Sequence, residues 1–109
     1  MGKGMSLQAM ELVAERFRVL SEPNRLRLLN LLREGEMSVT ELTLACQASQ
    51  PNVSKHLKLL TDSGILRRDQ RGNTVYYSII DDHIFKLCDL VCDSLGERLK
   101  AKAELFATV

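Results

Sequence analysis

The chain has 109 residues, one domain's worth, and its 45% hydrophobic and 27% charged residues exclude collagen-like, mucin-like and wholly disordered chains. No apolar run approaches the roughly 20 residues that cross a bilayer, Met1–Gly4 hold no leader-like apolar core, and three cysteines are too few to staple a secreted domain. A cytosolic protein with no membrane partner is expected. The formal charge of +1 is unevenly spread: residues 49–80 hold five cations and two anions, and residues 81–97 hold five anions and one cation. One surface is therefore suited to a polyanion.

In chain order, Met10, Val13, Phe17 and Leu20 recur at helical spacing and define a first helix at about 7–20. Ser21-Glu22-Pro23 opens a second, with Ser21 as cap and Pro23 in the first turn. Leu26, Leu28, Leu29, Leu31 and Leu32 make that helix apolar on more than one side, hence central, and Gly35 ends it. Ser38-Val39-Thr40-Glu41 is a capping box for a third helix, whose inner face is Val39, Leu42 and Cys46. After a break at Gln47-Ala48, Ser49 caps a fourth helix that turns Val53, Leu57 and Leu60 inward and stops at Ser63-Gly64. Ile65–Gln70 and Thr74–Ile79 are β-prone runs joined at Arg71-Gly72-Asn73, where glycine and asparagine accept positive φ. Asp81-Asp82 then open a long last helix, about 82–106, with Ile84, Leu87, Cys88, Val91, Cys92, Leu95 and Leu99 along one stripe.

The third and fourth helices are short, consecutive and closely joined, which is the helix-turn-helix pattern. The fold class is mainly α with a small β-hairpin: one winged helix-turn-helix domain over 1–109, its reading part at about 38–80. The first and last helices are free to pair between chains. A chain this short buries only about 60–70% of its unfolded surface, so a homodimer interface is expected.

Three stretches carry a resemblance: Leu20-Ser21-Glu22-Pro23-Asn24-Arg25-Leu26-Arg27-Leu28-Leu29, Ser38-Val39-Thr40-Glu41-Leu42, and Gln50-Pro51-Asn52-Val53-Ser54-Lys55-His56-Leu57. With Gly64-Ile65-Leu66 and Gly72–Ser78 in the place of a wing, the chain resembles the ArsR/SmtB family of bacterial metalloregulators. The resemblance implies a homodimeric transcriptional repressor that leaves operator DNA when an effector binds.

On the fourth helix a 100° step per residue sets Gln50, Pro51, Ser54, Lys55 and Lys58 opposite the apolar face. Such a polar, basic face suits the major groove of double-stranded DNA. Gln50 can pair with adenine, Ser49 and Ser54 suit phosphates or base edges, and Lys55 and Lys58 suit phosphates. Asn52 and His56 complete the candidate set on this helix, His56 with core packing near Leu60 as its alternative. On the hairpin, Arg67, Arg68, Arg71 and Asn73 are the candidates, the arginines for phosphates or the minor groove. Tyr76 and Tyr77 are adjacent on a strand and point to opposite faces, which excludes a base-stacking platform.

Three places could hold an effector. Where relatives carry Cys-x-Cys at the third helix, this chain has Met37-Ser38-Val39, and Cys46 reads as a core residue. A second family site reads Asp-x-His and, further along the last helix, His-x-x-Glu. Here Asp81, His83 and Glu97 match but Ser94 replaces a histidine, which makes zinc the weaker candidate. The third is Cys88 and Cys92, whose i, i+4 spacing sets both thiols on one helix face. Thiolates select soft thiophiles such as trivalent arsenic, cadmium or lead. The alternatives are packing on the dimer stripe, a thiol-redox or reactive-sulfur sensor, and a winged-helix interaction module that never binds DNA. Catalysis is not expected, since Cys88 and His83 do not face one another and no oxyanion donor accompanies them.

Overall fold

A computed structural model describes residues 4–107, so most of Met1–Gly4 and the two C-terminal residues of the expected 1–109 domain lie outside the described residues. Helix α1 spans Leu7–Leu20 and starts at Ser6, whose hydroxyl accepts the Ala9 N–H at 3.1 Å. Ser21 closes this helix, donating to the Arg18 carbonyl at 2.7 Å, and so corrects the expectation that it caps the next. The cap of α2 (Pro23–Leu32) is Glu22, whose carboxylate accepts the Asn24 N–H at 2.6 Å. Pro23 is the reason. The residue before a proline is pushed out of the helical region, and Glu22 sits at φ −107°, ψ 121°.

A two-residue strand β1 (Met37–Ser38) precedes α3 (Val39–Cys46), which begins with the expected capping box: Ser38 Oγ accepts the Glu41 N–H at 3.1 Å and Glu41 accepts the Ser38 N–H at 2.8 Å. Gln47 then takes a left-handed conformation, φ 52°, to turn the chain into α4 (Gln50–Asp62). The wing is β2 (Leu66–Arg71) and β3 (Thr74–Ile79), and α5 runs His83–Ala107. Arg71 pairs with Thr74, so the loop is Gly72-Asn73 and only Gly72 has positive φ, at 62°. That is the glycine-first pattern of a type II′ turn.

The expected two-stranded hairpin is a three-stranded antiparallel sheet, order β1-β3-β2, with Met37 opposite Tyr77. Two residues carry no readable periodicity, and Ser38 serves both as strand and as helix cap.

The core joins α2 (Leu28, Leu29, Leu32), α3 (Leu42, Cys46), α4 (Val53, Leu57, Leu60), Ile65 and Leu66 at the wing, and Ile84 of α5. Each buried leucine contributes about 1.5–3 kcal/mol relative to exposure. Arg16 of α1 ties the far corner together, donating to Asp81 Oδ2 at 3.1 Å and to the Ser63 carbonyl at 2.9 Å. It thereby links α1, the end of α4 and the start of α5. No described helix is long and apolar enough to cross a membrane.

Candidate nucleic-acid interface and thiol site

Ser49 caps α4 as its sequence suggests, its hydroxyl accepting the Asn52 N–H at 3.3 Å. The cap sets the helix phase. Val53, His56, Leu57 and Leu60 are buried, while Gln50, Pro51, Asn52, Lys55 and Lys58 are exposed and Ser54 is half-buried. Gln50, Ser54 and Lys58 line one side of an open groove of about 480 Å³, and Arg68 on β2 lines the other. Arg68 faces the helix because it pairs with the buried Tyr77, whereas Arg67, one residue along, faces away. Ser49, Arg67, Arg71 and Asn73 are exposed.

His56 departs from the candidate set. It is 8% exposed and its Nδ1 accepts from Arg25 of α2 at 3.3 Å, while Arg25 Nε donates to the Val19 carbonyl at 2.6 Å. A guanidinium only donates, so this ring nitrogen is the acceptor. His56 is a core residue that braces α4 against α2, not a groove-facing one.

The cations also divide. Lys58 pairs with Asp62 at 3.0 Å. Arg71 pairs with Glu36 at 2.7 Å and Asp69 at 3.3 Å and lies 3.8 Å over the Tyr76 ring. Lys55, Arg67 and Arg68 make no ion pair among the described residues. The Lys58–Asp62 pair is an i,i+4 neighbour pair along the helix, whereas Glu36 lies 35 residues from Arg71 in the chain, so nothing local sets Arg71 apart from the other two arginines.

At the start of α5, ligand atoms of Asp81, Asp82 and His83 lie within 4.8 Å of one another. Asp81 Oδ1 meets His83 Nδ1 at 3.0 Å and accepts its backbone N–H at 3.1 Å. The His83 side-chain hydrogen bond, then its backbone bond and its charge, and last the Arg16 charge, hold the Asp81 carboxyl below its ordinary value. Glu97 is 14 residues further along α5, about 21 Å at helical rise, so the Asp81, His83, Glu97 set does not meet within one chain. Ser38 is committed to its capping box. Cys46 is 5% exposed and lies in the core, as expected.

Cys88 is half-buried and Cys92 exposed, both as free thiols. Burial pushes the Cys88 thiol up, Cys92 and Asp89 add to it, and Arg33 opposes it. Arg33, at the C-terminal cap of α2, forks onto Asp89 at 3.0 and 2.7 Å and lies 4.8 Å over the Phe85 ring. That contact fixes the thiol-bearing turn of α5 against α2. Beyond it, every residue from Asp89 to Lys102 is exposed.

A capped second helix, an exposed polar face on it and a basic wing across one groove define a winged helix-turn-helix regulator. The sequence profile described as "Bacterial regulatory protein, arsR family" matches residues 22–68. A protein described as "Transcriptional repressor SmtB homolog" from Synechocystis sp. is 37% identical over 93 residues, 85% of this chain and 70% of that protein. The solved structure of the AntR antimony-specific transcriptional repressor matches with TM-score 0.80 and 31% identity, over 91% of this chain and 90% of that one. A homodimeric winged helix-turn-helix DNA-binding domain from Mycobacterium bovis matches with TM-score 0.74 and 27% identity, over 91% and 94%. The chain belongs to the ArsR/SmtB family of transcriptional regulators.

Proposed function

We propose that the protein is a homodimeric repressor that holds operator DNA through α4 and the wing and releases it when a thiophilic effector binds Cys88 and Cys92. The observation that carries the DNA reading is the groove between Gln50, Ser54 and Lys58 on α4 and Arg68 on β2. In this reading Gln50 reads a base edge, Ser49, Asn52 and Ser54 contact phosphates or bases, and Lys55, Arg67 and Arg68 neutralise phosphates. Lys58, Arg71 and Asn73 border the duplex. Pro51 sets the start of the reading helix. The dimer is supported by the exposed apolar stripe of Val91, Leu95 and Leu99 on α5 with Phe17 on α1. Paired winged helices place two recognition helices about one helical turn of DNA apart.

The effector reading rests on two thiols side by side on one helix turn, on the side of α5 that meets α2. Trivalent arsenic, trivalent antimony, cadmium and lead are soft enough to prefer them. The likeness to an antimony-specific repressor supports that class. Zinc at Asp81, His83 and Glu97 has too few nitrogen or sulfur donors.

The test begins by selecting a duplex from a random pool, then releasing the labelled site with arsenite, antimonite, cadmium, zinc and an oxidant in parallel. Release by a thiophile from the wild type, lost in Cys88→Ser and Cys92→Ser with DNA affinity kept, is the expected result. Unchanged release from both variants assigns the thiols to packing. Release by the oxidant alone assigns the site to redox sensing. Failure to enrich any duplex rejects DNA binding.

A further inference from the structure

Cys88 and Cys92 border two clefts. One, of about 380 Å³, runs between α1, α2 and α5 past Phe17, Leu26, Leu87 and Val91, and is part of the stripe assigned above to a second copy. The other, of about 200 Å³, lies between α2 and α5: α2 and its cap supply Leu26, Leu29 and Arg33, and α5 supplies Phe85 and the two thiols. Arg33, pinned by Asp89 and laid over Phe85, forms its polar rim.

We propose that this inner cleft takes a trivalent arsenical bearing one organic group, with arsenic bridging Cys88 and Cys92 and the organic group against Leu26, Leu29 and Phe85. The proposal rests on the effector reading above and names its ligand class. Valence is the first argument. Trivalent arsenic makes three bonds, and one chain offers two adjacent sulfurs, since Cys46 is buried in the core elsewhere. An arsenic–carbon bond completes the set without a donor from a second chain. Packing is the second argument. Leucine and phenylalanine side chains beside the thiols give an organic group an apolar surface that inorganic arsenite cannot use.

Proton balance is the third. For R–As(OH)2, two As–O bonds break and two As–S bonds form. Each thiol proton leaves with a hydroxide as water, and nothing is oxidised or reduced. A divalent soft ion must instead displace both protons, so its binding depends on pH.

The full chain, free and on its selected duplex, is titrated with phenylarsine oxide, methylarsonous acid, arsenite and cadmium at several pH values, with intact mass read in parallel. The expected result is one phenylarsenic unit per chain, with affinity nearly independent of pH, while that of cadmium rises by up to about a hundredfold per pH unit. Phenylarsine oxide should bind at least about tenfold more tightly than the methyl compound. Asn30→Trp, at a position that borders the inner cleft and not the outer one, crowds the cleft, keeps both thiols and should remove that preference; its melting temperature and DNA affinity check that it folds. Equal affinity for the phenyl and methyl forms, or one arsenical per two chains, overturns the proposal. So does release by arsenite or cadmium without release by phenylarsine oxide, which leaves the repressor reading standing. If no thiophile releases a duplex that the protein does bind, the effector reading itself falls.

Discussion

Helices α4 and α5 carry apolar stripes of the same period and meet opposite fates. On α4, Val53, Leu57 and Leu60 are 2%, 0% and 0% exposed, covered by α2, α3 and the wing of their own chain. On α5, Val91, Leu95 and Leu99 are 48%, 50% and 62% exposed. An amphipathic pattern says which face of a helix avoids water. It does not say which molecule covers that face. The covered helix holds its outer polar face fixed, and the uncovered stripe is left open.

The sharpest way to break this contrast is to truncate one residue on each stripe. Leu57→Ala should cost about 2–5 kcal/mol in denaturant unfolding, at any protein concentration, because it leaves a cavity in the core. Leu95→Ala should leave the unfolding of a dilute chain nearly unchanged and weaken self-association, read by sedimentation. Equal, concentration-independent losses in both would end the distinction.

Next in size is the exposed polar face of α4. Gln50→Ala should cost about 1–3 kcal/mol on the selected site and relax preference at one base position. A loss of the same size on random DNA would reassign Gln50 to anchoring.

Smaller, and particular to the wing, is the division among arginines. Arg68→Ala should lower the salt dependence of DNA binding by about one unit on every sequence. Arg71→Ala should change it less, since Glu36 and Asp69 already pair with Arg71. Glu36→Gln should bring Arg71 closer to Arg68 in effect. If Arg71→Ala lowers the slope as much as Arg68→Ala, the pair dissolves on DNA.

The smallest effect concerns the corner where the two helices meet. The Asp81 carboxyl titrates below its ordinary value in the folded chain. Its stabilising contribution is therefore present above the ordinary carboxylate pKa and is lost as pH falls through the lower folded value. Asp81→Asn should be less stable than the wild type by under about 1 kcal/mol near neutrality, because the pair is partly exposed. The two stability curves should converge in acid. A gap that stays constant into acid would mean that the ionised carboxylate gains nothing from its contacts with His83 and Arg16.

Much of this architecture was legible in the order of residues. The capping box at Ser38 and Glu41, the Ser49 cap and the glycine of the wing turn are local devices, complete within four or five neighbouring residues, and the inward face of α4 repeats within two helical turns. Local backbone sterics and unsatisfied N–H groups decide them, so sequence alone determined α4 and its polar face. What depended on distant neighbours was not visible. The strand at Met37-Ser38 exists only because Tyr76 and Tyr77 lie beside it. His56 sits one residue before Leu57 on a helix and has a polar ring, yet Arg25 gives that ring a buried partner. Arg71 is neutralised by Glu36, across the fold. Cys88 and Cys92 were recognisable as a pair from their spacing, whereas the cleft beside them is made by α2. Helix period and capping are set by bonds within one turn. Burial, ion pairing and cavities are set by contacts between turns far apart in the chain, and only the folded structure brings those together.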